Sequence, residues 1–350
     1  MQSLLLPLSW LYGFGMSARN MLFESGLLRV RPAGVPVIAV GNMTAGGTGK
    51  TPLVEWLIAE LQAQGVRPAM VSRGYGRASR GVVAVSDGVR LLATALEGGD
   101  EAVQVSTKFP TVPVVVGERR VDAAGVAVER FGAEVIVLDD AFQHRYLRRD
   151  LDIVILDARV DVTRERMLPA GRRREPLRGL GRAGLLAFSK LAEGQANIPW
   201  RSDLGAWSAA PAVFFRTVPG PLRQTADGAE VAAETFRTAR ILALSAIADN
   251  KRFEADLRGL GLDVVAALGF ADHHRYSSAD IERVLETAVR SGVSHVATTE
   301  KDLPRLQAGP GRKLLEQVPV MVLPIEVRWV EGEEVVRSVI TGLVKRKGAT

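Results

Sequence analysis

The sequence predicts an α/β protein built on doubly wound, mostly parallel sheets, and three observations predict it. The apolar run Val35, Val37, Ile38, Ala39, Val40 breaks into a glycine-rich turn, and a helical pattern follows through Leu53, Val54, Leu57, Ile58 and Leu61. Short apolar strands then alternate with helical patterns down the chain. After a looser stretch, the same alternation resumes at Ile241. Strands separated by helices pair in parallel, because the crossover helix returns the chain to the same end of the sheet.

Residues 1–30 carry Leu4, Leu5, Leu6, Leu8, Trp10, Leu11, Tyr12 and Phe14 ahead of the basic Arg19 and Arg29. The segment lacks a basic leader and a small-residue cleavage site, so it does not read as a secretory signal. Pro7 interrupts the apolar run, which is too short to span a bilayer. Two readings stay open from composition: an amphipathic helix lying in a membrane interface, or a helix packed on the core. Beyond the glycine turn, 68–72 and 112–116 read as strands, 121–131 as a helix, and 135–138 and 153–156 as strands. Near Pro199–Pro221 the pattern loosens, with Pro, Gly, Ser and Trp interspersed, and a linker is expected there. The second run reads as a strand at 241–244, a helix at 253–260, a strand at 264–268, a helix at 278–291, and strands at 296–299 and 318–325.

Bulk properties bound the function. A chain of 350 residues, 47% hydrophobic and 24% charged, is long enough for two cores and has an ordinary globular composition. Its net charge of +6 suits acidic partners such as nucleotides, nucleic acid or an anionic membrane, and a solvated arginine-rich face also accounts for it. The absence of cysteine excludes disulfides, thiolate metal sites and cysteine nucleophiles. The histidines His144, His273, His274 and His295 are too scattered to read as a metal cluster.

The chemistry concentrates in a few segments. In the strand–loop–helix setting of residues 38–61, the backbone of Thr44, Ala45, Gly46, Gly47, Thr48 and Gly49 can wrap phosphates. Lys50 reaches the outer phosphates and Thr51 offers a hydroxyl to Mg²⁺. Thr44 departs from the usual pattern, which has glycine six residues before the lysine. An ordinary glycine turn would look similar, but a strand before it and a helix after it favour a nucleoside triphosphate site. The strand at 135–138 ends in Asp139-Asp140, where an acid that organises Mg²⁺ belongs; paired acids also cap strands. One acid would serve the metal and the other a water, the lysine or the outer metal shell. Arg172-Arg173-Arg174-Glu175-Pro176 reads as a clamp for a transferring phosphoryl group or as a solvated basic loop. Asp100, after Gly98-Gly99, is either a helix cap or the base for an acceptor hydroxyl. His273, in Asp272-His273-His274-Arg275-Tyr276, is either a capping or a catalytic histidine, and spacing decides neither case.

Taken together, Gly41–Pro52, Ser72-Arg-Gly-Tyr-Gly-Arg77, Gly99-Asp-Glu101, Asp139-Asp-Ala-Phe-Gln-His144, Arg174-Glu-Pro176, Phe270-Ala-Asp-His-His274 and Thr298-Thr-Glu-Lys-Asp302 resemble tetraacyldisaccharide 4′-kinase. This is the lipid A 4′-kinase family of Gram-negative bacteria, and the motifs follow the family's order over most of the chain. The resemblance implies transfer of the γ-phosphate of ATP to the 4′-hydroxyl of a tetraacyl glucosamine disaccharide 1-phosphate, with Mg²⁺. It implies two α/β/α domains, a larger P-loop NTPase-like one at 31–210 and a smaller one at 239–350. A β-ribbon linker at 211–238 joins them, and the C-terminal strand returns to that linker. Residues 1–30 become a membrane-associating helix on the cytoplasmic face of the inner membrane. A monomer without a nucleic-acid partner is expected.

Residue by residue, the resemblance gives Lys50 and Thr51 to the phosphates and Mg²⁺, and Asp139, Asp140 and Glu175 to the metal site. Arg174 and Arg120 would stabilise the transferring phosphoryl group, and Asp100 would be the catalytic base, paired with His273 as a dyad. Three places depart from the family's pattern: Ala141 stands where glycine is usual, Ser189-Lys190 replaces Thr-Lys, and Leu244–Phe253 is divergent. Two other classes compete. A soluble P-loop GTPase or ATPase switch or metallochaperone would carry an Asn/Thr-Lys-x-Asp motif, but Ala192 occupies the Asp position of Phe188–Glu193. A nucleic-acid-binding ATPase would need a base-stacking module that the sequence lacks.

Overall fold

The computed structural model describes residues 5–192, 194, 198–226 and 228–347. Leu4 of the apolar N-terminus, Glu193 of the 188–193 segment and the end of the expected 239–350 unit lie outside the described residues. The chain opens with helix α1 (Leu6–Glu24), followed by β1 (Val37–Asn42), α2 (Lys50–Ala63), β2 (Pro68–Ser72) and β3 (Val83–Asp87). Next come the short α3 (Ala95–Gly98), α4 (Asp100–Lys108), β4 (Pro113–Val116), α5 (Arg120–Glu129), β5 (Val135–Leu138), β6 (Leu151–Asp157) and β7 (Leu185–Ser189). Strands β8 (Ala212–Pro219), β9 (Leu222–Gln224) and β10 (Glu230–Val231) lead to β11 (Arg240–Ser245), α6 (Asn250–Gly259), β12 (Asp263–Gly269) and α7 (Ser278–Arg290). The chain ends with β13 (His295–Thr299), α8 (Leu303–Leu306), α9 (Arg312–Gln317), β14 (Val320–Leu323), β15 (Ile325–Glu331) and α10 (Glu333–Lys347).

Two sheets organise these elements, as the α/β reading expects. The larger has nine strands in the order β15-β8-β7-β6-β1-β5-β2-β4-β3. Neighbours from β8 to β4 are parallel, and β15 and β3 close the two edges antiparallel. The central strands are apolar on both sides because both faces are covered. Ile38 and Val40 pack with Leu53, Leu57 and Leu61 of α2, while Val37 and Ala39 pack with Ala123, Ala124 and Ala127 of α5. Strand β1 lies between β5 and β6, so the strand order reverses there and a crevice opens at the carboxyl ends. The glycine loop follows β1 and the acid pair follows β5, which brings both to that crevice.

The smaller sheet has the order β10-β9-β14-β13-β11-β12. Its last four strands are parallel, with β9 and β10 antiparallel at one edge. Phe253 and Leu257 of α6 cover one face, and Ile281 and Val284 of α7 with Leu314 of α9 cover the other.

The stretch near Pro199–Pro221, expected as a linker, carries ordered elements. Trp200 and Leu204 are buried, and 212–219 is strand β8, pairing β7 on one side and β15 on the other. Val213 and Phe215 enter one core of the larger sheet and Phe214 the other, a period-two alternation that the flanking Pro, Gly and Trp obscured. The single strand expected at 318–325 divides at Pro324. β14 stays in the smaller sheet, whereas β15 crosses back to the larger one. Helix α10 follows and buries Val336 and Ile340 in the larger core, each worth roughly 1.5–3 kcal/mol of apolar burial. The C-terminal strand expected to return to the 211–238 segment is β15, which pairs β8, and α10 after it packs on the larger sheet.

Candidate active site

The phosphate loop is built to leave backbone donors unused. Helix α2 starts at Lys50, and its N-cap is Gly49 at φ 85, a conformation that a side chain would strain. No side chain caps this end, so the first-turn N–H groups stay available to an anion at the positive end of the helix dipole. Interactions behind the loop hold its shape. The amide of Asn42 donates to Thr48 Oγ1 at 3.2 Å and to the Gly46 carbonyl at 3.4 Å. Ser189 Oγ donates to the Thr48 carbonyl at 2.8 Å, so the serine at that divergent position supports the loop directly.

The structure also explains Thr44. It pairs in an antiparallel bridge with Arg173, flanked by Ala45 N donating to Arg172 O at 2.7 Å and Arg174 N donating to Met43 O at 2.8 Å. A residue in an extended bridge has no need of glycine, and this backbone zipper brings the arginine run onto the loop. Arg174 Nη1 then reaches Asp140 Oδ1 at 2.8 Å, Asn42 Oδ1 at 3.1 Å and Gln143 Oε1 at 3.4 Å. Lys50 Nζ lies 3.7 Å from the same Asp140 oxygen. Burial pushes the Asp140 carboxyl up, but Lys50, Arg174 and Arg120 outweigh it and hold the group below the usual carboxylate range.

Asp139 is in the opposite state. Its side chain is buried and Oδ1 has no hydrogen-bond partner. Burial, Glu101 and Asp140 together push its carboxyl up to about 8, against the pull of Lys50. An orphaned carboxylate oxygen beside a phosphate loop is the donor that a nucleotide-bound divalent cation lacks from protein. Among the described residues no group of three or more His, Cys, Asp or Glu is arranged to hold a metal. Mg²⁺ carried on phosphates needs only one or two carboxylates, so Asp139 with the nearby Thr51 hydroxyl fits it. Glu175, expected in the metal set, already has hydrogen-bond partners. It is fully buried, with Oε2 accepting from Arg182 at 2.8 Å and Asn20 at 3.4 Å, and Oε1 from Gln143 at 3.0 Å. Its carboxylate is committed to fastening α1 and Gln143 behind the loop.

Arg120, in the first turn of α5, is buried near the acids. Burial and Arg73 pull its guanidinium down to about 10, opposed by Asp140 and Asp139. Asp100 is not a helix cap: the N-cap of α4 is Gly99, at φ 91 and within 3.2 Å of the Gly74 backbone where a side chain would sit. The Asp100 side chain leaves the helix toward the other sheet, where Oδ2 lies 3.1 Å from His273 Nδ1. His274 does not share this position. It bonds Asp280 at 2.9 Å and stacks on Phe270, inside the capping box of α7. Among the described residues Asp140, Lys190 and His273 are the non-glycine residues at positive φ, and two of these are candidate site residues.

The structure thus joins Lys50, Asp140 and Arg174 in one cluster and Asp100 with His273 in another. Glu101, next to Asp100, acts electrostatically on Asp139 and links the two. Asn42, Gln143, Ser189 and Arg305 were missed from sequence. The first two lie inside quoted motifs, which was a usable signal, while Ser189 ends a strand and Arg305 shows only its spacing of three from Asp302.

The family profile of tetraacyldisaccharide-1-P 4′-kinase, LpxK, matches residues 1–345. A tetraacyldisaccharide 4′-kinase of Chlorobium phaeovibrioides is 42% identical over 347 residues, covering 98% of each chain. One of an Anaeromyxobacter species is 42% identical over 327 residues, 93% of this chain and 86% of that one. A crystal structure described as LpxK from Aquifex aeolicus in complex with ATP superposes with a TM-score of 0.82 at 33% identity, covering 98% and 99% of the two chains.

The raised carboxyl of Asp139 makes a prediction for protein free of nucleotide and metal. Its folded pKa of about 8 lies above the ordinary 3.8. The stability it contributes is therefore complete below about pH 4 and is lost as the pH rises through about 8. Thermal melts in chelator are expected to show wild type falling relative to Asp139→Asn between pH 6 and pH 9. Parallel melting curves over that range would contradict the assignment.

Proposed function

Because the chain belongs to the tetraacyldisaccharide-1-P 4′-kinase family, the ATP-dependent kinases of lipid A biosynthesis, we propose that Asp100 is the base that accepts the proton of the acceptor's 4′-hydroxyl. What carries this reading is the 3.1 Å contact between Asp100, on the larger sheet's side, and His273, on the smaller sheet's side, next to the Lys50–Asp140–Arg174 cluster. As the hydroxyl oxygen bonds to the γ-phosphorus and the bond from phosphorus to the ADP oxygen breaks, the hydroxyl proton passes to Asp100. Lys50 and Arg174 bind the phosphate oxygens and spread their developing charge, with Arg120 behind them. The backbone of Thr44 to Gly49 cradles the phosphates. Thr51 and Asp139 would hold Mg²⁺, and Asp140 keeps Lys50 and Arg174 aligned. When bound, the cation supplies charge neutralisation between the outer phosphates.

The acceptor's 1-phosphate belongs in a cavity of about 610 Å³ lined by Arg29, Arg31, Arg73, Arg119, Arg120 and His144. Its size is that of a small-ligand site. Glu118 in its wall is paired with Arg77 at 2.7 Å, which leaves the lining strongly cationic. Burial together with Arg120, Arg149, Arg19 and Arg73 lowers His144 to about 4, so it meets a ligand as a neutral ring. Its Nε2 is buried without a partner, which supports a bound polar group there.

Helix α1 supports attachment to a membrane surface. Its polar residues point inward: Ser9 Oγ donates to Met167 O at 2.9 Å, Tyr12 Oη to Arg174 O at 2.8 Å, and Arg19 to Gln143 O at 2.9 Å. Phe23 is buried at its end, but along its first half the large apolar residues point outward, with Trp10 at 72%, Leu11 at 67% and Phe14 at 71% exposure. Among the described residues no helix is long and apolar enough to cross a membrane. An exposed aromatic face on a helix bonded to the site suits a chain that lies on the cytoplasmic surface of the inner membrane and takes a lipid acceptor. The unit of the larger sheet, which includes β8, β15 and α10, and the unit of the smaller sheet close on each other at the crossings after β8 and β14. Asp100 and His273 then meet only in the closed form, which protects ATP from water.

With γ-³²P-labelled ATP and tetraacyldisaccharide 1-phosphate in detergent micelles, Asp100→Ala is expected to lower kcat about 10²–10⁴-fold while the KM for ATP changes little. An unchanged kcat would sink the assignment of the base. In sedimentation with anionic phospholipid vesicles, Trp10→Ser combined with Phe14→Ser is expected to move most of the protein to the supernatant. Retention on the vesicles would show that the attachment lies elsewhere.

A further inference from the structure

The motif Thr298-Thr-Glu-Lys-Asp302 has no role in the reading above, yet its charged residues reach Asp100, His273 or the helix that carries the base. Arg305, one helical turn beyond, is buried; its Nε donates to Asp100 Oδ2 at 2.7 Å, and its Nη1 donates to Asp302 Oδ1 at 2.8 Å and to the Ala246 carbonyl at 3.1 Å. Asp302, fully buried, accepts on Oδ2 from Ala246 N at 3.0 Å and from Thr299 Oγ1 at 2.7 Å. Lys301 Nζ donates to Asp272 Oδ1 at 2.9 Å and lies 3.1 Å from His273 Nε2. Glu300 pairs at 2.9 Å with Lys108, whose ammonium also bonds Glu55 of the phosphate-loop helix at 2.7 Å. Asp100 is the first residue of α4 and Lys108 the last. The segment therefore grips the helix that carries the base at both ends.

We infer that Glu300–Arg305 is the positioning element of the base. Arg305 keeps Asp100 an aligned carboxylate, and Lys301, steadied by Asp272, fixes His273 in the tautomer that donates to it. This rests on the reading of Asp100 as the base. An ammonium has only protons to give, so His273 Nε2 accepts from Lys301 and the ring proton must sit on Nδ1, facing Asp100. Among the described residues both side-chain bonds to Asp100 end on Oδ2, leaving Oδ1 to take the hydroxyl proton. Burial raises the Asp100 carboxyl, and His273 and Arg305 together bring it below its ordinary range. The groups facing His273 are Asp100, Arg305 at 3.5 Å, Lys301, Asp272 at 3.9 Å and the Tyr75 ring. These are positioning residues: they act on the substrate only through Asp100 and His273.

The test uses the full chain in detergent micelles, with γ-labelled ATP and tetraacyldisaccharide 1-phosphate, and follows kcat and KM from pH 5 to pH 9. In Lys301→Met, Nε2 is free to take a proton from water, and the ring then pairs with Asp100 as a cation and weakens the base. The variant is expected to lose about tenfold or more in kcat at the acidic end of that range. It is expected to recover most of that loss above pH 8, with the KM for ATP within about twofold of wild type. In Arg305→Gln the acidic limb of kcat/KM is expected to move to higher pH, because burial then acts on Asp100 with less opposition, and Arg305→Lys should restore part of the shift. Should Arg305→Gln fail to fold, Lys301→Met decides alone, since Lys301 lies near the surface. In an Asp100→Ala background, Lys301→Met is expected to cause no further loss. A pH profile for Lys301→Met parallel to wild type, or a full additional loss in that background, overturns the inference while leaving the base assignment standing. Full activity of Asp100→Ala by itself overturns both.

Discussion

The guanidinium of Arg174 holds the site together because it reaches pieces of chain that fold separately. It bonds Asn42 at the end of β1 together with Asp140 and Gln143 on the turn after β5. Its backbone N–H holds the phosphate loop at Met43, and its carbonyl accepts the Tyr12 hydroxyl of α1. All three contacts are made by one nitrogen, Nη1, and the rigid guanidinium plane fixes it among the three acceptors more firmly than a lysine ammonium on a flexible stem would be held. The phosphate loop, the acid turn and helix α1 are thus registered to one another through one residue. The same guanidinium is the one proposed to stabilise the transferring phosphoryl group.

The rest of the site tolerates costs that this scaffold constrains. Asp140 and His273 sit at φ 46 and φ 61, conformations that non-glycine residues adopt at a cost of about 1–3 kcal/mol. Asp139 is buried with an oxygen that bonds to nothing. Next to it Asp140 stays ionised, because Lys50 and Arg174 face it. Two adjacent acids in opposite protonation tendencies form a site that is electrostatically incomplete without its nucleotide. The base cluster shows the complementary design, with Asp100 saturated on one oxygen by residues from the second sheet.

How much of this was legible in the sequence follows from how local each feature is. The strand, glycine loop and helix at 37–63 were readable because neighbouring residues determine all three. The acid pair was readable as the polar end of an apolar strand. Thr44 looked anomalous because its reason is a bridge to Arg173, far along the chain. Composition alone did not show strand β8, which entered only as the β-ribbon that the resemblance implies, and helix α10 was missed, since their partners, 325–331 and the core of the larger sheet, are remote in sequence. The direction of α1 was equally hidden: composition gave an amphipathic helix, but only the bonds of Ser9, Tyr12 and Asn20 fix its polar face inward. Glu175 reads as one more acid beside a cationic run until Arg182, Gln143 and Asn20 are seen around it.

The central claim is that one arginine both orders the site and stabilises the phosphoryl group in flight. It is tested most directly by the single-turnover rate of phosphoryl transfer in Arg174→Lys, with ATP and acceptor saturating and ATP affinity measured in parallel. The account predicts a rate lower by about 10²-fold or more with ATP affinity changed far less, because the lysine keeps the charge and loses the fork. An unchanged transfer rate, or a loss confined to ATP affinity, would contradict it.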